Sequence, residues 1–497
     1  MTLPQQNDKA PLHWSLKSVI LSRILYQKVR YPMRNSHTKA DMTQGPAMKL
    51  VLLFALPICI GNILQQLYTT VDTLVIGNFC DSVSLAAVGT SSQPVEMLLC
   101  IFLGIGTGVS ILISQYTGSG DGKAVRETAA TATSFLYLSA IPISILGLLL
   151  GPLILKFMQV PEDTWDLAVS YLRIIFLGTL GNMGYNMNAG ILRGMGDSRA
   201  SLFFLLISCF TNIALDLLFI AGFQMNVTGA ALATSLSMFA SWLFSVIYIR
   251  RKYPELDFTL LPKKLNKNIL RRIITVGLPL GLNNSIYSVG HIFLQALVNA
   301  QGSTFMAACS VATKLTGIAN VAISSLSSAA TTFSGQNYGA QKYVRLQKEG
   351  LRIPLFSGLI TCIAGVAVTF FCRPLLVFFT RDEQVLELAV LYTRVVLPSM
   401  WIFAVFNGII CYVNGIGEVR FPTIANILML WAVRIPSAWL ISAFLDGTYL
   451  MACYPISFSF GLLCMLLYFL TDNWKKIRQL AEREKASQAD QPYTQIT

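Results

Sequence analysis

The sequence predicts an all-α membrane protein with twelve transmembrane helices in two parallel six-helix repeats. Three observations predict it. The chain of 497 residues is 54% hydrophobic and only 12% charged, about half the charge of an ordinary soluble domain. Stretches 99–114, 135–155 and 355–371 contain no full charge, and runs near 20 residues are what it takes to cross about 30 Å of hydrocarbon. The chain also states itself twice. Shifted by 221 residues, Gln115 falls on Gln336, Gly118 on Gly339, Tyr171 on Tyr392 and Arg173 on Arg394. Asn186 falls on Asn407, Gly194 on Gly415, Gly196 on Gly417 and Arg199 on Arg420. With a one-residue gap, Leu56-Pro57 falls on Leu278-Pro279 and Asn62 on Asn284.

Gly, Pro, Asn and charge clusters divide the chain into twelve apolar segments. Their centres lie near Ile63, Leu103, Leu138, Leu177, Leu206, Phe239, Tyr287, Ile323, Ile363, Phe403, Leu430 and Leu462. Six belong to each copy. An even number of crossings returns each half to its starting side, so the repeats are parallel, related by an axis along the membrane normal. The expected organisation is a basic extension (1–46), a first lobe (47–250), a linker (251–268), a second lobe (269–472) and a tail (473–497). A long internal repeat in so apolar a chain is the architecture of a secondary transporter.

The net charge of +13 marks sidedness rather than nucleic-acid binding. Thirty of the 37 Lys and Arg fall on one side: both ends of the chain, alternate turns and residues 250–272, which alone carry eight cations and Pro254 and Pro262. The opposite connections at 78–84, 222–228, 299–304 and 444–449 have none; Lys156, Arg373 and Arg381 are the exceptions. By the positive-inside rule both termini of this multi-pass protein are expected to be cytoplasmic. Apolar residues from Trp14 to Val29 are interleaved with Lys17, Arg23, Lys28 and Arg30. This reads either as a basic amphipathic helix on the inner leaflet or as an over-long start, with Met33, Met42 or Met48 as the first residue. No cleavable signal peptide is evident. The ten cysteines form no CxxC pair and read as small membrane-buried thiols.

Carboxylates inside spans are costly and usually functional, at about 2.5–3.5 kcal/mol near the centre by insertion scales. Asp72 lies on the first span and Asp216 on the fifth. The first span leaves the membrane near Gly77, the fifth leaves near Gly222 and the sixth enters near Gly229. At 1.5 Å per residue, Asp72, Asp216 and Thr234 then lie about 7–9 Å below one face. Asn212 lies one turn from Asp216 on the same helix face. These four groups form a candidate cation site, able to hold a proton between the carboxylates or Na⁺ among their oxygens. A helix cap or a snorkelling group is the alternative for either acid alone.

Other charged positions carry less. Glu96 in span two and Lys314 in span eight have the depth to face a central cavity. Arg173 and Arg394 repeat each other and read as architectural. Arg434 has no evident role, and His291 reads as a packing histidine. Pro57 is a candidate bend in the first span, although Pro279 repeats it without a carboxylate nearby. Gly104, Gly106 and Gly108 read as close helix packing. There is no GxxxxGK[ST], HExxH or GxSxG motif and no metal box, so nothing points to an enzyme or an ATP-driven pump.

Several motifs together resemble the multidrug and toxic compound extrusion (MATE) family, in its bacterial DinF-like branch. They are Leu56-Pro57, then Gln65-x-x-Tyr68-x-x-x-Asp72-Thr73 in span one, and Leu85-Ala86-Ala87-Val88-Gly89 opening span two. Gln115-x-x-Gly118, Leu192-Arg193-Gly194-x-Gly196-Asp197 and Asn212-x-x-x-Asp216 complete the set, over about residues 47–475. The resemblance implies a two-lobed antiporter that exports cationic or amphipathic organic compounds in exchange for H⁺ or Na⁺, without a catalytic cofactor. It implies an ion site at Asp72, Asn212, Asp216 and Thr234, with Gln65 and Tyr68 lining the same cavity; Lys314 is a further candidate for contact with substrate. It also implies a small-molecule substrate, a lipid environment and a monomer. A lipid-linked oligosaccharide flippase of the same superfamily is the alternative.

Overall fold

The computed structural model describes residues 40–489 apart from 159, 260, 263, 264 and 446. The basic amphipathic segment proposed for residues 14–30, and Met33 as an alternative start, lie outside the described residues. Within them the chain is helical throughout. In the first half it forms α1 (Ala47–Phe79), α2 (Ser82–Ser119), α3 (Gly122–Phe157), α4 (Glu162–Leu177), α5 (Thr179–Gly194), α6 (Ser198–Asp216) and α7 (Asn226–Lys252). In the second it forms α8 (Lys267–Asn299), α9 (Ser303–Gly339), α10 (Tyr343–Phe370), α11 (Cys372–Val377), α12 (Glu383–Val396) and α13 (Met400–Ile416). These are followed by α14 (Arg420–Ile427), α15 (Ile435–Phe444), α16 (Cys453–Tyr468) and α17 (Asp472–Ala489).

Many starts are legible in the chain. Asp81, Asp121, Asp197, Asn266 and Asp382 each place a side-chain oxygen on the free amides of the helix that follows, the function of an N-cap. Ten helices are long and apolar enough to cross a membrane, and α4 with α5 makes an eleventh span bent by 49°. The bend falls at Gly178, where α7 approaches so closely that a Cβ would run into Ser235. The twelfth crossing is α8, whose 33 residues give ample length but whose Asn283, Asn284, Ser288, His291 and Gln295 dilute its hydropathy. Two spans carry π-helical turns that nothing in the sequence announced: Leu217–Gly222 directly after α6, and Leu428–Arg434 between α14 and α15.

Each half centres on its own apolar cluster, although Val51 and Phe54 of α1 pack into the second and Ile269 and Ile273 of α8 into the first. Phe102, Val109, Leu136, Met187, Phe204 and Trp242 anchor the first; Phe333, Phe406, Ile409, Tyr412 and Met465 anchor the second. The linker is not a free tether. Tyr253, Leu256 and Phe258 are buried against the first lobe, and the Tyr253 hydroxyl donates to Asp197 at 2.6 Å.

The lobes meet in the membrane interior and on the side that carries the linker. Helix α2 lies directly on α8, and Cβ atoms at Gly104 or Gly108 would collide with the backbone at Gly281 or Gly277. Gly106 faces open space, so two of the three glycines read as packing positions serve that purpose. At the linker-side end the repeat folds back on itself. The Gln115 side-chain amide donates to the Gly415 carbonyl at 3.0 Å, and its counterpart Gln336 donates to the Gly194 carbonyl at 3.3 Å. A Cβ at Gly118 would overlap the Gln336 carbonyl, and one at Gly339 would overlap the Gln115 carbonyl. Residues 40–43 lie under this latch. The Ala40 amide donates to the Gly196 carbonyl at 3.0 Å, and the Met42 amide donates to Gln336 Oε1 at 2.9 Å. Nearer the membrane interior, Asn62 donates to Ser325 Oγ at 3.2 Å and Cys100 lies 4.0 Å from the Ser288 hydroxyl.

Candidate functional site

The first lobe assembles the four residues expected of the cation site. Asp72 comes from α1, Asn212 and Asp216 from α6, and Thr234 from α7. Helix α6 packs between the other two, so a face carrying Asn212 and Asp216 one turn apart is pressed inward. Both are 0% exposed. The carboxyl of Asp72 lies close to that of Asp216, and the Asn212 amide nitrogen donates to Thr234 Oγ1 at 3.5 Å.

The polarity of the cluster is one-sided. Asp72 Oδ1, both carboxylate oxygens of Asp216 and Asn212 Oδ1 are buried with no hydrogen-bond partner among the described residues. Four buried acceptors thus belong to one cluster with no donor bonded to them. Buried polar groups are rarely left so, and a pair of facing carboxylates is stable only when a proton or a cation sits between them. The π-helical turn starting at Leu217 follows Asp216 immediately. Such turns disturb regular helix pairing and recur at functional sites.

Tyr68 also belongs to this cluster. It lies near Thr234 and near both carboxylates. Gln65 is exposed one turn earlier on α1, and Lys314 is exposed on α9; neither is joined to the acids. Glu96 is likewise exposed on α2. One residue was missed: Tyr171 on α4 is buried and lies close to Asp72, Asp216 and Tyr68. Its match with Tyr392 in the repeat was the available signal, and that match reads as scaffold until the neighbours are known.

Comparison with known proteins fits this architecture. The MatE family profile matches twice, at residues 57–218 and 279–440. The probable multidrug resistance protein YpnP of Bacillus subtilis (strain 168) is 28% identical over 89% of this chain and 99% of its own length. The probable multidrug resistance protein NorM of Thermotoga maritima is 26% identical over 93% of this chain and 100% of its own. Among solved structures, a MATE protein in complex with MaD3S superposes with a TM-score of 0.80 at 22% identity, over 90% of this chain and 100% of that one. A multidrug resistance MATE family transporter in an outward-facing conformation gives the same score at 22% identity, over the same shares of the two chains; at such identity the likeness speaks for the fold. The two profile matches are spaced by the chain's own repeat and cover most of both lobes, so the chain belongs to the MatE family of membrane transporters.

Proposed function

We propose that the protein is a cation-coupled antiporter that exports organic, cationic or amphipathic compounds by alternating access. The observation that carries this reading is the cluster of four orphaned acceptors at Asp72, Asn212 and Asp216. One proton held between the carboxyls satisfies it most simply. Na⁺ is the second reading, favoured by Asn212 Oδ1 and the Thr234 hydroxyl, which add neutral oxygens to the pair. In this scheme the lobes, residues 47–250 and 269–472, rock against each other across the cleft, while residues 251–268 join them and 473–497 form the tail. Cation occupancy of the first lobe biases the swing, with Gln65, Tyr68 and Lys314 as candidate substrate contacts.

The charge distribution supports placing the linker side in the cytoplasm of a bacterium, with the protein in its inner membrane and active as a monomer. The names of YpnP and NorM support drugs or similar xenobiotics as the cargo. One charge crossing 100 mV supplies about 2.3 kcal/mol, enough for a gradient of roughly fiftyfold, so ion exchange alone suffices to drive useful export. The flippase reading has less support: it calls for cations lining the cleft, and with Arg434 enclosed Lys314 is left to face the two acids of the first lobe.

Asp72→Asn and Asp216→Asn variants should insert normally and lose ion-driven export of a fluorescent cationic dye. Reconstituted vesicles with pH and Na⁺ gradients imposed separately identify the ion. Wild-type efflux rates in both variants would refute the assignment.

A further inference from the structure

The repeat allows the first lobe's ion site to be mapped onto the second. With the gap counted, Asp72 corresponds to Leu294; Asp216 corresponds to Ser437 and Tyr171 to Tyr392. Leu294 and Tyr392 line a cavity of about 50 Å³ together with His291, Cys453 and Tyr454. This is the second copy's version of the same place, emptied of carboxylates. It is far too small for a drug-sized molecule, which fills about 300–1,000 Å³, but it exceeds the roughly 10–15 Å³ that one water requires.

Beside it stands Arg434, 1% exposed. Its Nε donates to Ser457 Oγ at 2.9 Å and one terminal nitrogen donates to the Tyr287 hydroxyl at 3.1 Å. The guanidinium lies 5.0 Å from the ring centroids of both Tyr454 and Phe458. Among the described residues no carboxylate approaches it; its strongest electrostatic neighbours are Tyr287, Tyr454 and Cys453. Its charge also reaches His291 on the cavity wall.

The hydroxyls extend this pattern. Tyr287 accepts from Arg434, so its own proton is uncommitted. Tyr454 packs edge-on against Tyr392, ring centroids 6.1 Å apart, and among the described residues no hydrogen bond has the Tyr454 hydroxyl as donor. The second lobe therefore holds a permanent cation and two free donors where the first holds four free acceptors. Aromatic faces ease a buried guanidinium, but they do not supply the counter-charge that buried ions require.

We propose that this part of the second lobe binds a monovalent inorganic anion of chloride's size, held by the field of Arg434 and by the hydroxyls of Tyr287 and Tyr454. The site is separate from the cation-coupling site, and its occupancy does not depend on the reading given to Asp72 and Asp216. Its role is to neutralise the fixed cation, so that the second lobe keeps one electrostatic state while the first alternates.

The test is the thermal stability of the purified full-length protein, titrated with sodium chloride or sodium bromide against sodium gluconate at constant ionic strength. A saturable rise in melting temperature is expected with chloride and bromide only. Arg434→Met should abolish it and Tyr454→Phe should weaken the apparent affinity severalfold, whereas an Asp72→Asn and Asp216→Asn double variant should retain it. Should Arg434→Met fail to fold, the wild-type halide response and its weakening in Tyr454→Phe still decide the matter. Identical wild-type melting curves in chloride and gluconate would overturn the proposal, as would a halide response undiminished in the Arg434 or Tyr454 variant.

Discussion

The two lobes share a frame and differ in charge. Several of the positions identical in both copies face the other copy. Gln115 and Gln336, Gly118 and Gly339, and Gly194 and Gly415 all meet across the pseudo-twofold axis on the linker side. Each contact is made twice, so a change in either copy breaks a pairing that the other retains. Positions that face the interior of a single lobe are under no such pairing; Tyr171 and Tyr392 stay alike there, but the charged groups diverge. Asp72 and Asp216 stand against Leu294 and Ser437, while Arg434 stands against Ile213. The first lobe presents unsatisfied acceptors and the second a buried cation.

The largest way to break this contrast is to remove the acceptors. With either Asp72→Asn or Asp216→Asn, coupled efflux should fall to the level of protein-free vesicles, because an amide in either place supplies a donor to the remaining carboxylate. The latch should remain intact, so cysteine labelling from the linker side should stay as low as in wild type. Full labelling there would mean that the acids hold the frame together rather than bind the ion.

Next in size are substitutions in the frame. Gly118→Ala and Gly339→Ala each place a methyl group where the partner lobe's backbone already lies. The latch then cannot close as it does here, and both variants should shift toward linker-side accessibility by a similar amount, about tenfold or more for a cost near 1.4 kcal/mol. A large asymmetry between them would show that the two sides of the latch are not equivalent.

How much of this was legible follows the same division. The spans and the repeat were written in hydropathy and in matched letters, both of which are local or periodic signals. The acid cluster was also legible, because spans of known direction fix depth, and depth alone brings Asp72, Asp216 and Thr234 to one level. Depth does not give azimuth. Tyr171 and Arg434 were therefore left without a role: which neighbour each faces depends on helix rotation, and helix rotation is set by packing. The two π-helical turns were hidden for a related reason. They depend on how α6 and α14 meet their neighbours, and the segments 217–222 and 428–434 are as apolar as any regular helix. The break at Gly178 was missed because a lone glycine in a span does not announce that Ser235 will press against it.

A finer test exploits the one place where the latch is not symmetric. Gln115 makes a single described bond, to the Gly415 carbonyl. Gln336 bonds the Gly194 carbonyl and also accepts from the Met42 amide. At about 1 kcal/mol per hydrogen bond, Gln115→Leu should open the latch about fivefold more often, and Gln336→Leu should have roughly twice that energetic effect. Spin-label distances between the linker-side ends of α2 and α9 read both populations. Equal shifts would mean that residues 40–43 rest on the latch without reinforcing it.

The smallest expected effect concerns the start of the second helix in each copy. Asp81 caps α2 by accepting from the Ser84 amide at 2.9 Å. In the repeat its place is taken by Gly302, which precedes α9 with φ +96° and no side-chain cap. The backbone there lies in the region that favours glycine, so Gly302→Asp should not transfer the cap and should strain the turn. The Ser84 hydroxyl beside it, and then the bond from the Ser84 amide, hold the Asp81 carboxyl below its usual value. A carboxyl depressed by folding adds stability above its unfolded value, about 3.9, and loses that contribution as the pH falls through the folded value. Asp81→Ala should therefore lower the melting temperature slightly at pH 7, and the gap to wild type should close as the pH is taken below about 3.9. A gap that persists unchanged in acid would assign the effect of Asp81 to packing of the turn rather than to its charged cap, and would remove this point of contrast between the lobes.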